Sequence, residues 1–203
     1  MLVTNVQKYG RDRNLEVARQ VLSAGIEAIQ VREKHLDAKE LLDFTLEIIA
    51  LAEPFQACVV VNDRLDVALS AGASGVHLDD DALHPEAARE QARLLELDDF
   101  LIGVQVHNRA DVARASAGTA DYVLFGPVIS SPDEAEFGES LGIEALGVVC
   151  ADKWVPVLAA GGITPQNAGQ IMNTGAVGVA FTRVIFDADD PGEVARLLVE
   201  AAE

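Results

Sequence analysis

Aromatic residues make up only 5% of this 203-residue chain, and 15 Lys and Arg stand against 33 Asp and Glu, a net charge of −18. So few cations argue against a nucleic-acid binder, because no basic stripe exists to neutralise phosphates. The two cysteines, Cys58 and Cys150, lie in apolar runs without a CxxC partner. They read as reduced core thiols of a cytoplasmic protein rather than a disulfide or metal pair. No apolar run is long enough to span a bilayer, so no membrane partner is expected. The opening MLVTNVQKYGRDRN lacks the basic and apolar regions of a signal peptide. No GxGxxG follows the first apolar run, which weighs against an open dinucleotide-binding sheet. No linker or composition shift divides the chain, so 1–203 reads as one domain with a sizeable core.

What is present is alternation. Short β-branched runs at 2–4, 28–32, 58–62, 75–79, 101–106, 122–126, 155–160 and 176–182 suit buried parallel strands. Helical patterns fall between them at 14–24, 38–53, 64–71, 85–96, 108–117, 143–152, 165–174 and 191–202. Pro85, Pro165 and Pro191 suit a first helical turn. Gly25, Gly72, Gly118 and Gly175 suit the left-handed position after a helix. SAG recurs at Ser23, Ser70 and Ser116, with TG at Thr174, each interval holding about two strand–helix units. Eight such units predict an α/β fold, a single (β/α)8 TIM barrel, whose functional residues gather where strands end.

At the second strand end, QVREK, alternation turns Gln30, Arg32 and Lys34 to one side and Val31 and Glu33 to the other. Polar groups facing a barrel interior are costly unless bound, and two cations suit an anion; an internal salt bridge is the alternative. The third strand ends in Asn62 and Asp63. Asp63 suits Mg²⁺, which takes one or two carboxylates plus phosphate oxygens, although either residue could instead cap the next helix. Asp79, Asp80 and Asp81 after the fourth strand offer a second ligand or a solvated acidic loop. His77 reads as an interior hydrogen bonder. His107, at the fifth strand–helix junction, is placed for general acid/base work, with Asn108 as a helix cap. The long connection after Phe125-Gly126 has a lid's length, and its Ser130 and Ser131 could donate to a phosphate. AAGGITP puts Gly161 and Gly162 before a helix, one unit ahead of Thr182 and Arg183. Glycine N–H groups and a helix start at this barrel edge suit a phosphate in an acidic protein. On this reading Gly162→Val weakens phosphate binding and leaves the fold largely intact.

QVREK, VNDRLDVAL, GVHL, DYVLFGPV, AAGGITPQNA and GVAFTRVIF, in this order over nearly the whole chain, resemble the thiamine phosphate synthase/TenI family. The resemblance implies a (β/α)₈ barrel in thiamin biosynthesis. The synthase branch joins a pyrimidine pyrophosphate to a thiazole phosphate with Mg²⁺, and the TenI branch includes a thiazole tautomerase. It matches Gln30, Arg32, Lys34 and Asn62 to pyrimidine and pyrophosphate contacts and Asp63 to an Mg²⁺ ligand. It places Gly162 and Thr182, the latter in place of a serine, where the thiazole phosphate is held; on the residue reading above, Gly126, Ser130, Ser131, Gly161 and Arg183 are expected to complete the substrate pocket. Departures are equally specific. The second Mg²⁺ aspartate, after the family's GVHLGQ, falls at Ala82. A serine becomes Gln105, and a lysine-bearing loop becomes Ser130-Ser131-Pro132-Asp133-Glu134. A TenI histidine after FG is Pro127 here. These changes lead us to expect a TenI-type tautomerase without metal, with His107, Arg32 and Lys34 as the catalytic groups. The alternatives are a Mg²⁺-dependent synthase, or a regulator that binds without catalysis. A small phosphorylated heterocycle is the expected partner and a homo-oligomer the expected assembly. Without pyrophosphate, Mg²⁺ should bind weakly.

Overall fold

The computed structural model describes residues 1–130 and 139–202. Its strands are β1 (Leu2–Val3), β2 (Ala28–Val31), β3 (Cys58–Asn62), β4 (Gly75–Leu78), β5 (Leu101–Val106), β6 (Tyr122–Phe125), β7 (Val157–Ala160) and β8 (Gly178–Ala180). They form one sheet in sequence order, and each neighbouring pair is parallel. The ends meet: Leu2 bridges to Phe181, and the Val3 N–H donates to the Phe181 carbonyl at 2.9 Å. The fold is thus the (β/α)₈ barrel that the alternating pattern implies.

The helices are α1 (Val6–Tyr9), α2 (Arg11–Ser23), α3 (Ala38–Ala52), α4 (Leu65–Ala71), α5 (Pro85–Leu94), α6 (Arg109–Ala117), α7 (Ile143–Ala151), α8 (Pro165–Met172), α9 (Arg183–Phe186) and α10 (Pro191–Ala202). Strand side chains alternate between two environments. Ile29, Val31, Val59, Val61, Val76, Leu78, Ile102, Val123 and Ala159 are buried among apolar side chains of the core. Leu41, Phe44 and Ile48 of α3 belong to the same core, and α3 starts at a capping box between Asp37 and Glu40.

Several boundaries differ from the sequence expectation. α1 and α9 are additional, four residues each, too short to show a helical period. The strand expected at 155–160 begins after Pro156, which cannot donate to a ladder, and that at 176–182 shortens to Gly178–Ala180. Pro85, Pro165 and Pro191 do open their helices. Gly25, Gly72 and Gly175 have positive φ, but Gly118 has φ −85° and Thr119 takes the left-handed conformation instead.

Candidate active site

The C-terminal strand ends open into one cavity of about 990 Å³. Gln30, Arg32, Lys34, Asp63, His107, Gly126, Ser130, Gly161, Gly162, Thr182 and Arg183 all line it. Asn62 touches the site through Asp79 rather than lining the cavity. Ser131 lies outside the described residues.

One side of the cavity is charged. Arg32 and Lys34 leave β2 towards it, while Glu33 turns back and is buried. Glu33 accepts from the Thr4 hydroxyl at 2.5 Å and the Val6 N–H at 2.8 Å, and Thr4 in turn accepts the Arg32 N–H at 3.0 Å. Burial pushes the Glu33 carboxyl up, partly offset by these bonds. This staple between the β1 and β2 ends holds the backbone from which both cations project. Lys34 Nζ lies 2.5 Å from Asp79 Oδ2 and 3.7 Å from Asp63 Oδ2, and Arg32 lies 3.7 Å from the same Asp79 oxygen. The Asn62 amide also donates to that oxygen at 3.3 Å, and the Asp79 N–H donates to Asp63 Oδ1 at 2.8 Å. Burial pushes Asp63 up. For Asp79 burial acts the same way, but the contacts from Lys34, Arg32 and Asn62 outweigh it and hold the carboxyl below its usual range.

Asp79 is therefore a hub, whereas its sequence allowed either a second metal ligand or a solvated acidic loop; its side chain is only 19% exposed. The only signal was three acids directly after β4. Neither Asn62 nor Asp63 caps α4, whose start at Arg64 has no side-chain cap. Asp63 sits at φ 59° with its side chain turned to β4. Among the described residues no three His, Cys, Asp or Glu side chains group to hold a metal. A cage of protein ligands alone is not built here. Mg²⁺, however, needs only one or two carboxylates beside phosphate oxygens, and Asp63 and Asp79 offer that donor set.

The floor is polar but incompletely paired. Gln30 Nε2, Asn62 Oδ1 and His77 Nε2 are buried, with no hydrogen-bond partner among the described residues. Orphaned groups of this kind cost free energy unless a ligand or water meets them. His77 stacks near Tyr122, its Nδ1 3.3 Å from the phenol oxygen, and burial pushes the imidazole down to about 4, so it is neutral. His107 lies at the rim. Its Nδ1 is 2.6 Å from the Gly126 carbonyl and its Nε2 is 2.9 Å from Asp80 Oδ2. Both partners are acceptors, and a neutral ring donates to one of them. Asn108 caps α6 as its sequence implies, accepting from the Asp111 N–H at 3.0 Å.

The opposite side is built from backbone. Gly161 and Gly162 follow β7 at φ 90° and 65°. Among the described residues neither N–H donates to another backbone group. Asn167 supports this turn: its amide donates to the Gly162 carbonyl at 2.8 Å and its oxygen accepts from the Thr164 N–H at 2.8 Å. The T-x-x-N spacing of that capping box was the readable signal for Asn167. The expectation that Gly162→Val spares the fold does not hold. A Cβ there would sit 2.6 Å from the Ile129 carbonyl oxygen, at a positive φ that side chains resist.

Known proteins follow the same plan. The thiamine monophosphate synthase family model matches residues 1–185. A thiamine-phosphate synthase of Archaeoglobus fulgidus is 39% identical over 193 residues, 95% of this chain and 88% of that one. One of Methanospirillum hungatei is 36% identical over 183 residues, covering 90% and 87%. The thiamine phosphate pyrophosphorylase structure from Pyrococcus furiosus superposes with TM-score 0.89 at 27% identity, covering 99% and 93%. These relatives carry the synthase name, which favours the coupling branch over the tautomerase branch that the motif departures led us to expect. By the match across its length, this chain belongs to the thiamine monophosphate synthase family.

Proposed function

We propose that the protein is a thiamine phosphate synthase, a transferase that joins a hydroxymethylpyrimidine diphosphate to a thiazole phosphate. The observation that carries this reading is one cavity lined by Arg32 and Lys34 on one side and the Gly161-Gly162 turn on the other, around an unpaired polar floor. Arg32 and Lys34 would hold the diphosphate. Gln30 would meet the pyrimidine edge, supplying the partner that its amide nitrogen lacks. The Gly161 and Gly162 N–H groups and the Thr182 hydroxyl would hold the thiazole phosphate through fixed dipoles, which need no net positive charge. Arg183 adds a cation at that rim. In the reaction the pyrimidine methylene–oxygen bond breaks, its electron pair leaving on the diphosphate, and the thiazole nitrogen lone pair forms the new C–N bond. Arg32 and Lys34 stabilise the departing charge, and His107 at the rim is placed for proton transfer at the leaving group. Mg²⁺, when bound beside Asp63, supplies further positive charge to the leaving oxygens.

The tautomerase reading draws on Ala82, where a metal ligand is missing, and needs a base at the thiazole. His107 at the rim is the candidate for that base, and its two ring nitrogens already lie against the Gly126 carbonyl and Asp80. Incubation with the thiazole phosphate carboxylate alone separates the two. The synthase reading predicts binding without ring isomerisation by NMR. Turnover of that compound alone would overturn it.

A further inference from the structure

Resting on the diphosphate-transfer reading above, we infer that Asp79 is an internal rival of the diphosphate. Its carboxylate takes the seat of a phosphoryl oxygen on Lys34 and Arg32. It thereby lowers the hold of this wall on the anion and helps the leaving diphosphate to depart.

One oxygen carries the arrangement. Asp79 Oδ2 lies 2.5 Å from Lys34 Nζ and 3.7 Å from Arg32 Nη2, and it accepts from the Asn62 amide at 3.3 Å. An ammonium, a guanidinium and an amide N–H turned on one anionic oxygen are also what a phosphate oxygen takes. Arg32, Lys34 and Asp79 all line the cavity, so this oxygen stands where an incoming anion meets the two cations. The seat is fixed by the backbone, because the Asp79 N–H donates to Asp63 Oδ1 at 2.8 Å. Asp63 is the weaker rival, its Oδ2 3.7 Å from Lys34. The Lys34 side chain is 55% exposed and that of Asp79 only 19%. The lysine can therefore swing to a ligand while the carboxylate keeps its place.

The sequence marks this carboxylate as particular to the chain. Residues 75–80 read GVHLDD where the family motif is GVHLGQ, so Asp79 stands at a glycine of that motif. A glycine offers the two cations no anion. Binding of a diphosphate here exchanges one ion pair for another instead of adding one, and the displaced carboxylate then repels the ligand at short range. The same exchange runs in reverse at the end of the reaction, when Asp79 reclaims Lys34 as the diphosphate leaves.

Titration calorimetry with inorganic pyrophosphate, on the full chain with EDTA present, tests this. Asp79→Asn keeps the shape and removes the charge. It should bind pyrophosphate at least about tenfold more tightly than wild type, the size of one charge-assisted hydrogen bond. Asp79→Gly, which restores the residue of the motif, should gain as well and keeps the test open if Asp79→Asn does not fold. Added NaCl should weaken binding to either variant more than to wild type, because wild type only trades one screened pair for another. A purely structural role for Asp79 would not steepen that salt dependence. Unchanged or weaker binding by the folded variants overturns the proposal, and so does wild-type binding that falls steeply with salt. Coupling of the two substrates by wild type is measured in parallel. Coupling without the gain in affinity refutes this proposal alone, whereas the gain without coupling refutes the synthase reading alone.

Discussion

His77 occupies the floor of the pocket, fully buried, between the Tyr122 phenol and the charged wall. Burial lowers it to about 4 from an ordinary 6.5; Asp79 works against that shift and Arg32 with it. The unfolded chain thus binds a proton at higher pH than the folded one. The contribution of His77 is complete above about 6.5, falls as pH drops through that value, and levels off below about 4. Thermal melts of wild type and His77→Gln across that range should show the variant gaining relative stability as pH falls. A gap that does not change with pH would mean that His77 is not held neutral. At this scale the sequence was partly readable. Alternation correctly turned Gln30, Arg32 and Lys34 to one side, because strand periodicity is local. The place of Asp79 was not readable, since it depends on the β3–β4 register that sets Asn62 opposite His77.

Between elements, small residues decide how closely neighbours approach. Gly103 on β5 pairs with Tyr122 on β6, and a Cβ there would lie 2.1 Å from the Tyr122 ring. The phenol of a nearly buried tyrosine, its pKa pushed up by burial, fills the space a side chain would take. Gly103→Ala should therefore cost on the order of 1–3 kcal/mol through overpacking. Combined with Tyr122→Val, most of the loss should be recovered, a non-additive pair in urea denaturation. Additive losses would show that the two side chains do not share that space. The strand–helix order was legible because β-branched runs, helix-opening prolines and caps are local signals. The shortened β8 was not, because barrel closure, with Phe181 bridged to Leu2, sets where it stops; α1 and α9 are too short to show a period, and β7 starts late because Pro156 cannot join the ladder.

Over the whole molecule, the eight-stranded closure brings the β2–β4 ends across one cavity from the β7–β8 ends. No local pattern reports that distance; it follows only from the barrel. On the proposed reading, an acidic chain would hold two phosphorylated molecules there by using backbone dipoles on one side and the Arg32 and Lys34 side chains on the other. The loss of the family aspartate at Ala82 pointed towards the tautomerase because Asp79 could not be placed from sequence. The most direct test of the account mixes the protein with hydroxymethylpyrimidine diphosphate and thiazole phosphate, with and without Mg²⁺, and follows pyrophosphate release. The account predicts release in step with thiamin phosphate formation, only when both substrates and the metal are present. Failure to form thiamin phosphate with all three present, or release that needs no thiazole phosphate, would contradict it.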